Sequence, residues 1–138
     1  MINYNTLFFK QIDTELKAYL LGYIVADGCI TIENRKDRPI TSKIRRVQFQ
    51  CAISDLQIIE LIKSVIAPNN KISYIKGKGN KQDYIKLRLA NTEIVNDLIT
   101  LYDIQPRKTY HKEFQFPNIP KDLIKHFIRG YFDGDGSV

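Results

Sequence analysis

Two Asp-Gly dipeptides carry the clearest chemistry in this sequence. The segment Leu20-Leu21-Gly22-Tyr23-Ile24-Val25-Ala26-Asp27-Gly28 recurs as Ile128-Arg129-Gly130-Tyr131-Phe132-Asp133-Gly134-Asp135-Gly136, which sets Asp27 and Asp135 108 residues apart. A carboxylate is a hard oxygen donor. Two brought together, with the peptide carbonyls of Ala26 and Gly134 beside them, would suit Mg²⁺ or another divalent cation. Such a site activates water and neutralises charge that develops on a phosphodiester.

The same segments say how the two acids meet. Small residues stand four apart in each copy, Gly22 and Ala26 in the first, Gly130 and Gly134 in the second. Four residues is about one helical turn, so each pair lines one face. Glycine inside a helix costs roughly 1 kcal/mol against alanine, so its use asks for a packing reason. Helices packed on these faces approach closely, and their C-terminal ends would set Asp27 and Asp135 side by side.

The elements around these helices are readable from periodicity. Residues 14–26 form an apolar, proline-free helix capped by Asp13 or Thr14. Strands follow at 29–34 and 44–53; in the second, Val47, Phe49, Cys51 and Ile53 face one way and Arg46, Gln48, Gln50 and Ala52 the other. Ser54 and Gln57 have the spacing of a capping box for a helix running to about Ala67. A second strand pair, 71–76 and 83–90, flanks Lys76-Gly77-Lys78-Gly79-Asn80. Asn91 caps a helix over 92–102, and a connector, 104–120, leads to a last helix over 121–134. This is an α+β order, αββαββα with an antiparallel four-stranded sheet, followed by one further helix.

The chain has 138 residues, 43% hydrophobic and 26% charged, which suits one folded domain and argues against wholesale disorder. No apolar run reaches the ~20 residues of a membrane span. Cys29 and Cys51 fit neither metal spacing nor a disulfide framework, and read as free thiols in a reducing, intracellular compartment such as the cytoplasm. Net charge is +6, but its distribution says more: segments 35–53 and 71–88 together carry +10 and the remainder −4. A basic face for a polyanion is the expectation. Its donors are Arg35, Lys36, Arg38, Lys43, Arg45, Arg46, Gln48 and Gln50 from the first segment, and Lys76, Lys78, Lys81, Tyr84, Lys86 and Arg88 from the second. Residues of these types grip phosphates and read base edges in double-stranded DNA.

The repeated segments resemble the dodecapeptide of LAGLIDADG homing endonucleases, and the order of elements between them resembles that family's αββαββα unit. The resemblance implies a site-specific, metal-dependent DNA endonuclease. Two motif helices would pack at a pseudo-twofold, sheets would form a saddle over DNA, and Asp27 and Asp135 would bind catalytic metal. It also implies a basic residue near the scissile phosphates, matched by Lys108. Asp133 corresponds to Val25 in the first copy and receives no catalytic role. Two-motif members carry a second set of strands and helices after the second motif. Residues 1–120 therefore read as an N-terminal half-domain and 121–138 as the second motif helix, to be completed by a C-terminal half or a second copy of the chain. The host element, intron or intein, is left open. The alternatives are a DNA-binding relative that does not cut, an RNA maturase of the same fold, or a structural fragment that acts only with a partner.

Three other signals are set aside. Asp133-Gly134-Asp135 opens like an EF-hand loop but lacks its further ligands. His111 and His126 have no partner at zinc spacing. Lys76-Gly77-Lys78-Gly79 lacks the P-loop pattern and reads as a basic hairpin tip.

Overall fold

The computed structural model describes residues 2–34, 43–106 and 117–135. Helix α1 (Glu15–Asp27) leads into strands β1 (Cys29–Asn34) and β2 (Lys43–Ala52), then helix α2 (Leu56–Ile66). Strands β3 (Ser73–Ile75) and β4 (Tyr84–Leu89) precede helix α3 (Thr92–Tyr102), and helix α4 (Ile124–Asp135) comes last. The sheet is antiparallel throughout, in the order β1-β2-β4-β3.

Alternation along the strands separates two faces. Val47 and Phe49 of β2, with Ile85, Leu87 and Leu89 of β4, are buried on one side. Ile59, Ile62 and Ile66 of α2 and Ile94, Val95 and Leu98 of α3 supply further buried side chains to the same core. Spacings of three and four put each set on one helical face. The Tyr23 ring of α1 lies 6.0 Å from Phe49, which ties the first motif helix to the sheet.

Local signals explain most boundaries. Thr14 caps α1 by accepting from the Lys17 amide, and Asn91 caps α3 by accepting from the Ile94 amide at 3.0 Å. The Ser54 and Gln57 pair does not form the expected capping box. Ile53–Asp55 instead winds a 3-10 turn into α2, whose cap makes no side-chain hydrogen bond. Consequently Ile53, expected on the apolar face of β2, is 43% exposed. Strand β3 is also shorter than the 71–76 expected from sequence.

The segment before α1 is a strap across the core. Phe8, Phe9 and Ile12 are buried, the Asn5 amide donates to the Ile66 carbonyl at 2.7 Å, and the Tyr102 hydroxyl donates to the Phe9 carbonyl at 2.6 Å. Among the described residues no helix is long and apolar enough to cross a membrane.

Candidate active site and nucleic-acid interface

The two motif helices meet backbone to backbone. A Cβ added at Gly22 would lie 2.0 Å from the Phe127 carbonyl oxygen, and one added at Gly130 would lie 1.9 Å from the Tyr19 carbonyl oxygen. These two contacts are the same contact twice, because the 108-residue offset that carries Gly22 onto Gly130 also carries Tyr19 onto Phe127. On the axis between them, Gly134 faces its own counterpart, with 2.9 Å between an added Cβ and the Ala26 Cβ. The helix pair therefore has a local pseudo-twofold. Asp27 and Asp135, each one residue beyond the Ala26–Gly134 contact and each the last residue of its helix, leave the pair at the same end.

Their surroundings differ. Asp27 Oδ2 is buried and has no hydrogen-bond partner. Burial pushes the Asp27 carboxyl up to about 6; a hydrogen bond from Tyr23 opposes the rise, and the nearby Asp55 carboxylate adds to it. Burial likewise raises the Tyr23 hydroxyl, and the Cys51 thiol goes up to about 11. Asp135 is exposed. Gly28, after Asp27, is needed for close approach: its backbone is extended, and a Cβ there would stand 2.7 Å from the Ile24 carbonyl oxygen.

An orphaned carboxylate oxygen at the end of a helix pair fits a hard cation. Asp27 and Asp135 would supply its anionic ligands, and the Ala26 and Gly134 carbonyls are adjacent in sequence. Among the described residues no group of three or more Asp, Glu, His or Cys side chains gathers to hold a metal. The remaining coordination positions would fall to water and substrate oxygens.

The helix pair also carries a polar ladder without a twofold counterpart. The Tyr19 hydroxyl donates to the Asp133 carboxylate, and the Arg129 guanidinium sits 4.4 Å from the centre of the Tyr19 ring. His126, set aside as a zinc ligand, lies 3.3 Å from Glu15 and 3.3 Å from Arg129 through its two ring nitrogens. Burial, reinforced by Asp133, raises the Tyr19 hydroxyl to about 12.

The sheet face away from the core is polar. Arg46, Gln48 and Gln50 of β2 stand on it beside Tyr84, Lys86 and Arg88 of β4, with Gln48 directly opposite Arg88 and Gln50 opposite Lys86. Arg88 Nε donates to Gln48 Oε1 at 3.0 Å, and Arg46 is 3.7 Å from Glu33 of β1.

A sequence profile described as LAGLIDADG endonuclease matches residues 20–121. The chain belongs to the LAGLIDADG endonuclease family. Among solved structures, meganuclease I-SmaMI bound to uncleavable DNA is 13% identical with a TM-score of 0.52, covering 88% of this chain and 59% of that one. The I-LtrWI LAGLIDADG homing endonuclease bound to target DNA is 13% identical with a TM-score of 0.50, covering 94% and 58%. These show the shared fold. A Methanocaldococcus jannaschii protein named "Probable translation initiation factor IF-2" is 28% identical over 124 residues, which is 87% of this chain and 9% of that protein. The chain thus spans less than two thirds of the length of the proteins it matches.

Against the LAGLIDADG pattern, the structure brings some expected residues together and leaves others apart. Gly22, Ala26, Gly130 and Gly134 all lie in the helix interface. Lys43 and Arg45 do not share the polar face: strand alternation places them with Val47 and Phe49, beyond the apolar core. Lys76, Lys78 and Lys81 are exposed in the loop from β3 to β4, where the Gly77 amide donates to Asp83 at 2.9 Å. Arg35, Lys36, Arg38, Lys108 and His111 lie outside the described residues. Sequence reading missed Asp55 as the acid beside Asp27, and it missed the Gln48–Arg88 pair. The first follows a helix start hidden behind a 3-10 turn, and the second depends on the register of non-consecutive strands.

Proposed function

We propose that this chain is the DNA-binding and half-catalytic unit of a site-specific, double-strand DNA endonuclease. The observation that carries the reading is the twofold-related helix contact, Gly22 on Phe127 and Gly130 on Tyr19, which delivers Asp27 and Asp135 to one end of the helix pair. A duplex lying on the polar sheet face would be held by Arg46, Lys86 and Arg88, with the loop lysines 76, 78 and 81 along its backbone. Mg²⁺ or a similar cation held by Asp27 and Asp135 would supply an activated water and charge neutralisation at the scissile phosphate. Asp27 contributes a half-buried carboxylate with one oxygen, Oδ2, already out of solvent, and Lys108 is proposed to stand near the phosphates.

A second half is part of the proposal. Phe132 on α4 is 51% exposed, whereas its twofold counterpart on α1, Ile24, is fully buried. The sheet that covers Ile24 has no equivalent over Phe132 among the described residues. A C-terminal half, or a second copy, would cover it and grip the other side of a pseudo-symmetric site.

The test is Mn²⁺ binding to the whole chain, read by water-proton relaxation. Wild type should bind Mn²⁺, and Asp27→Asn and Asp135→Asn should each weaken it about tenfold or more, while gel-shift affinity for duplex DNA stays within a few fold. Mixed with a matching C-terminal half, wild type should cleave a plasmid site library in Mg²⁺ and both variants should not. Equal Mn²⁺ affinity in all three proteins would overturn the assignment.

A further inference from the structure

We infer that Gln48 and Arg88 act as one reading unit that recognises guanine in the major groove, an inference that rests on the proposal that the polar sheet face lies on DNA. The two residues are directly opposite in the β2–β4 register, and Arg88 Nε donates to Gln48 Oε1 at 3.0 Å. Asn70 Nδ2 donates to the Arg88 carbonyl at 2.7 Å, which seats this end of β4. Arg88 also borders an open groove of about 440 Å³ with Lys71, Ser73 and Lys86.

The hydrogen bond decides what the pair can offer a base. With Nε occupied, the guanidinium presents its two Nη groups, which carry only donors. Gln48 has its carbonyl turned to a cation, so its free group is the Nε2 amide, again a donor. An isolated glutamine reads adenine by accepting from N6 while donating to N7. Here the acceptor half of that pattern is engaged, and the neighbouring positive charge repels a donor such as adenine N6 or cytosine N4. Guanine, with acceptors at both N7 and O6, is the base that satisfies the pair. The Gln48 amide then falls to N7 or O4 of an adjacent base.

The neighbouring residues do not share this property. Arg46 stands 3.7 Å from the Glu33 carboxylate. Opposite Gln50 is Lys86, a compact point charge rather than a planar fork, and better suited to phosphate than to a base edge. Among the arginines described on this face, Arg88 is the one held by a neutral side chain.

Randomised duplexes retained by the 138-residue protein at low salt, and then sequenced, test the inference. Wild type should show one position enriched in guanine by about tenfold or more. Arg88→Lys, which keeps the charge, and Gln48→Ala should both flatten that same position while total DNA retention changes only a few fold. Gln48→Glu sets a carboxylate against Arg88, as Glu33 stands against Arg46, and should leave that position flattened. Both substituted residues lie on a solvated strand face, and thermal melts of each variant confirm folding. An unchanged guanine column in Gln48→Ala and Arg88→Lys, different columns altered by the two variants, or retained duplexes without any guanine column would overturn the inference alone. Wild-type protein that retains no duplex would overturn the DNA-binding proposal and this inference with it.

Discussion

The Tyr19 carbonyl oxygen occupies the space that a side chain at Gly130 would need: an added Cβ would fall 1.9 Å from it. Gly22 and Phe127 repeat the relation at 2.0 Å across the pseudo-twofold. Backbone, unlike the tip of a flexible side chain, cannot step aside cheaply. Gly22→Ala and Gly130→Ala should therefore each destabilise the protein by about 2–3 kcal/mol through overpacking. Gly134→Ala, whose Cβ would sit 2.9 Å from both the Ala26 Cβ and the Tyr23 carbonyl oxygen, meets a milder overlap and should cost less. Gly79 has φ +65° and nothing within 4 Å, so Gly79→Ala should lose only the roughly 1 kcal/mol of left-handed backbone strain. Urea unfolding of the four variants gives the order directly, and equal midpoints for Gly130→Ala and Gly79→Ala would refute it.

The helix interface was readable because its signal is local: small residues one turn apart, in two copies. Strand faces were readable for the same reason, since Val47 and Phe49 alternate with Arg46, Gln48 and Gln50 within one segment. What escaped sequence reading depends on distant partners. Phe8 and Phe9 follow no clear period, yet both are buried, in a strap held by Tyr102 and Ile66. Ser54 has capping chemistry that the 3-10 turn leaves unused. Arg129 sits in a repeat whose first copy has Leu21, and nothing in the sequence announces that it lies over Tyr19.

Asp27 should make the metal-free protein less stable above neutral pH. Its carboxyl titrates near 6 in the fold against an ordinary 3.8, because burial disfavours the charge. A raised acid binds its proton more tightly when folded, so stability from this group is present below about pH 4 and is lost as pH rises through 6. Asp27→Asn removes the charge and keeps the shape. The variant should be more stable than wild type at pH 8 by about 1–2 kcal/mol, a value reduced for the partial exposure of the carboxylate. The gap should close by pH 4. Thermal melts across that range decide it, and a variant less stable than wild type at pH 8 without metal would contradict the account.

The Tyr19–Asp133 hydrogen bond joins α1 to α4 beside the glycine contacts. Tyr19→Phe and Asp133→Asn in a double-mutant cycle should show a coupling of about 1 kcal/mol. The tyrosine titrates near 12 in the fold, above its ordinary 10. Its contribution should therefore be complete below pH 10 and disappear as pH rises toward 12. Additive effects of the two changes at pH 7 would remove this contact from the forces that hold the helix pair together.

Glu33 should restrain DNA binding through Arg46. The two groups are 3.7 Å apart on the polar sheet face, where strand β1 sets Thr31 opposite Arg46 and brings Glu33 diagonally beside it. An exposed pair of this kind adds little to stability, so Glu33→Gln should leave the melting temperature nearly unchanged. Its effect on a polyanion is larger, because the carboxylate repels phosphate and occupies a cation that would otherwise displace counterions. Glu33→Gln should raise affinity for non-specific duplex a few fold at low salt, and steepen the dependence of log affinity on log salt by about one unit. Arg46→Ala should flatten the same slope by about one unit. Gel-shift titrations at three salt concentrations measure both slopes. Weaker binding by Glu33→Gln would mean that Glu33 orients Arg46 for DNA instead of holding it back.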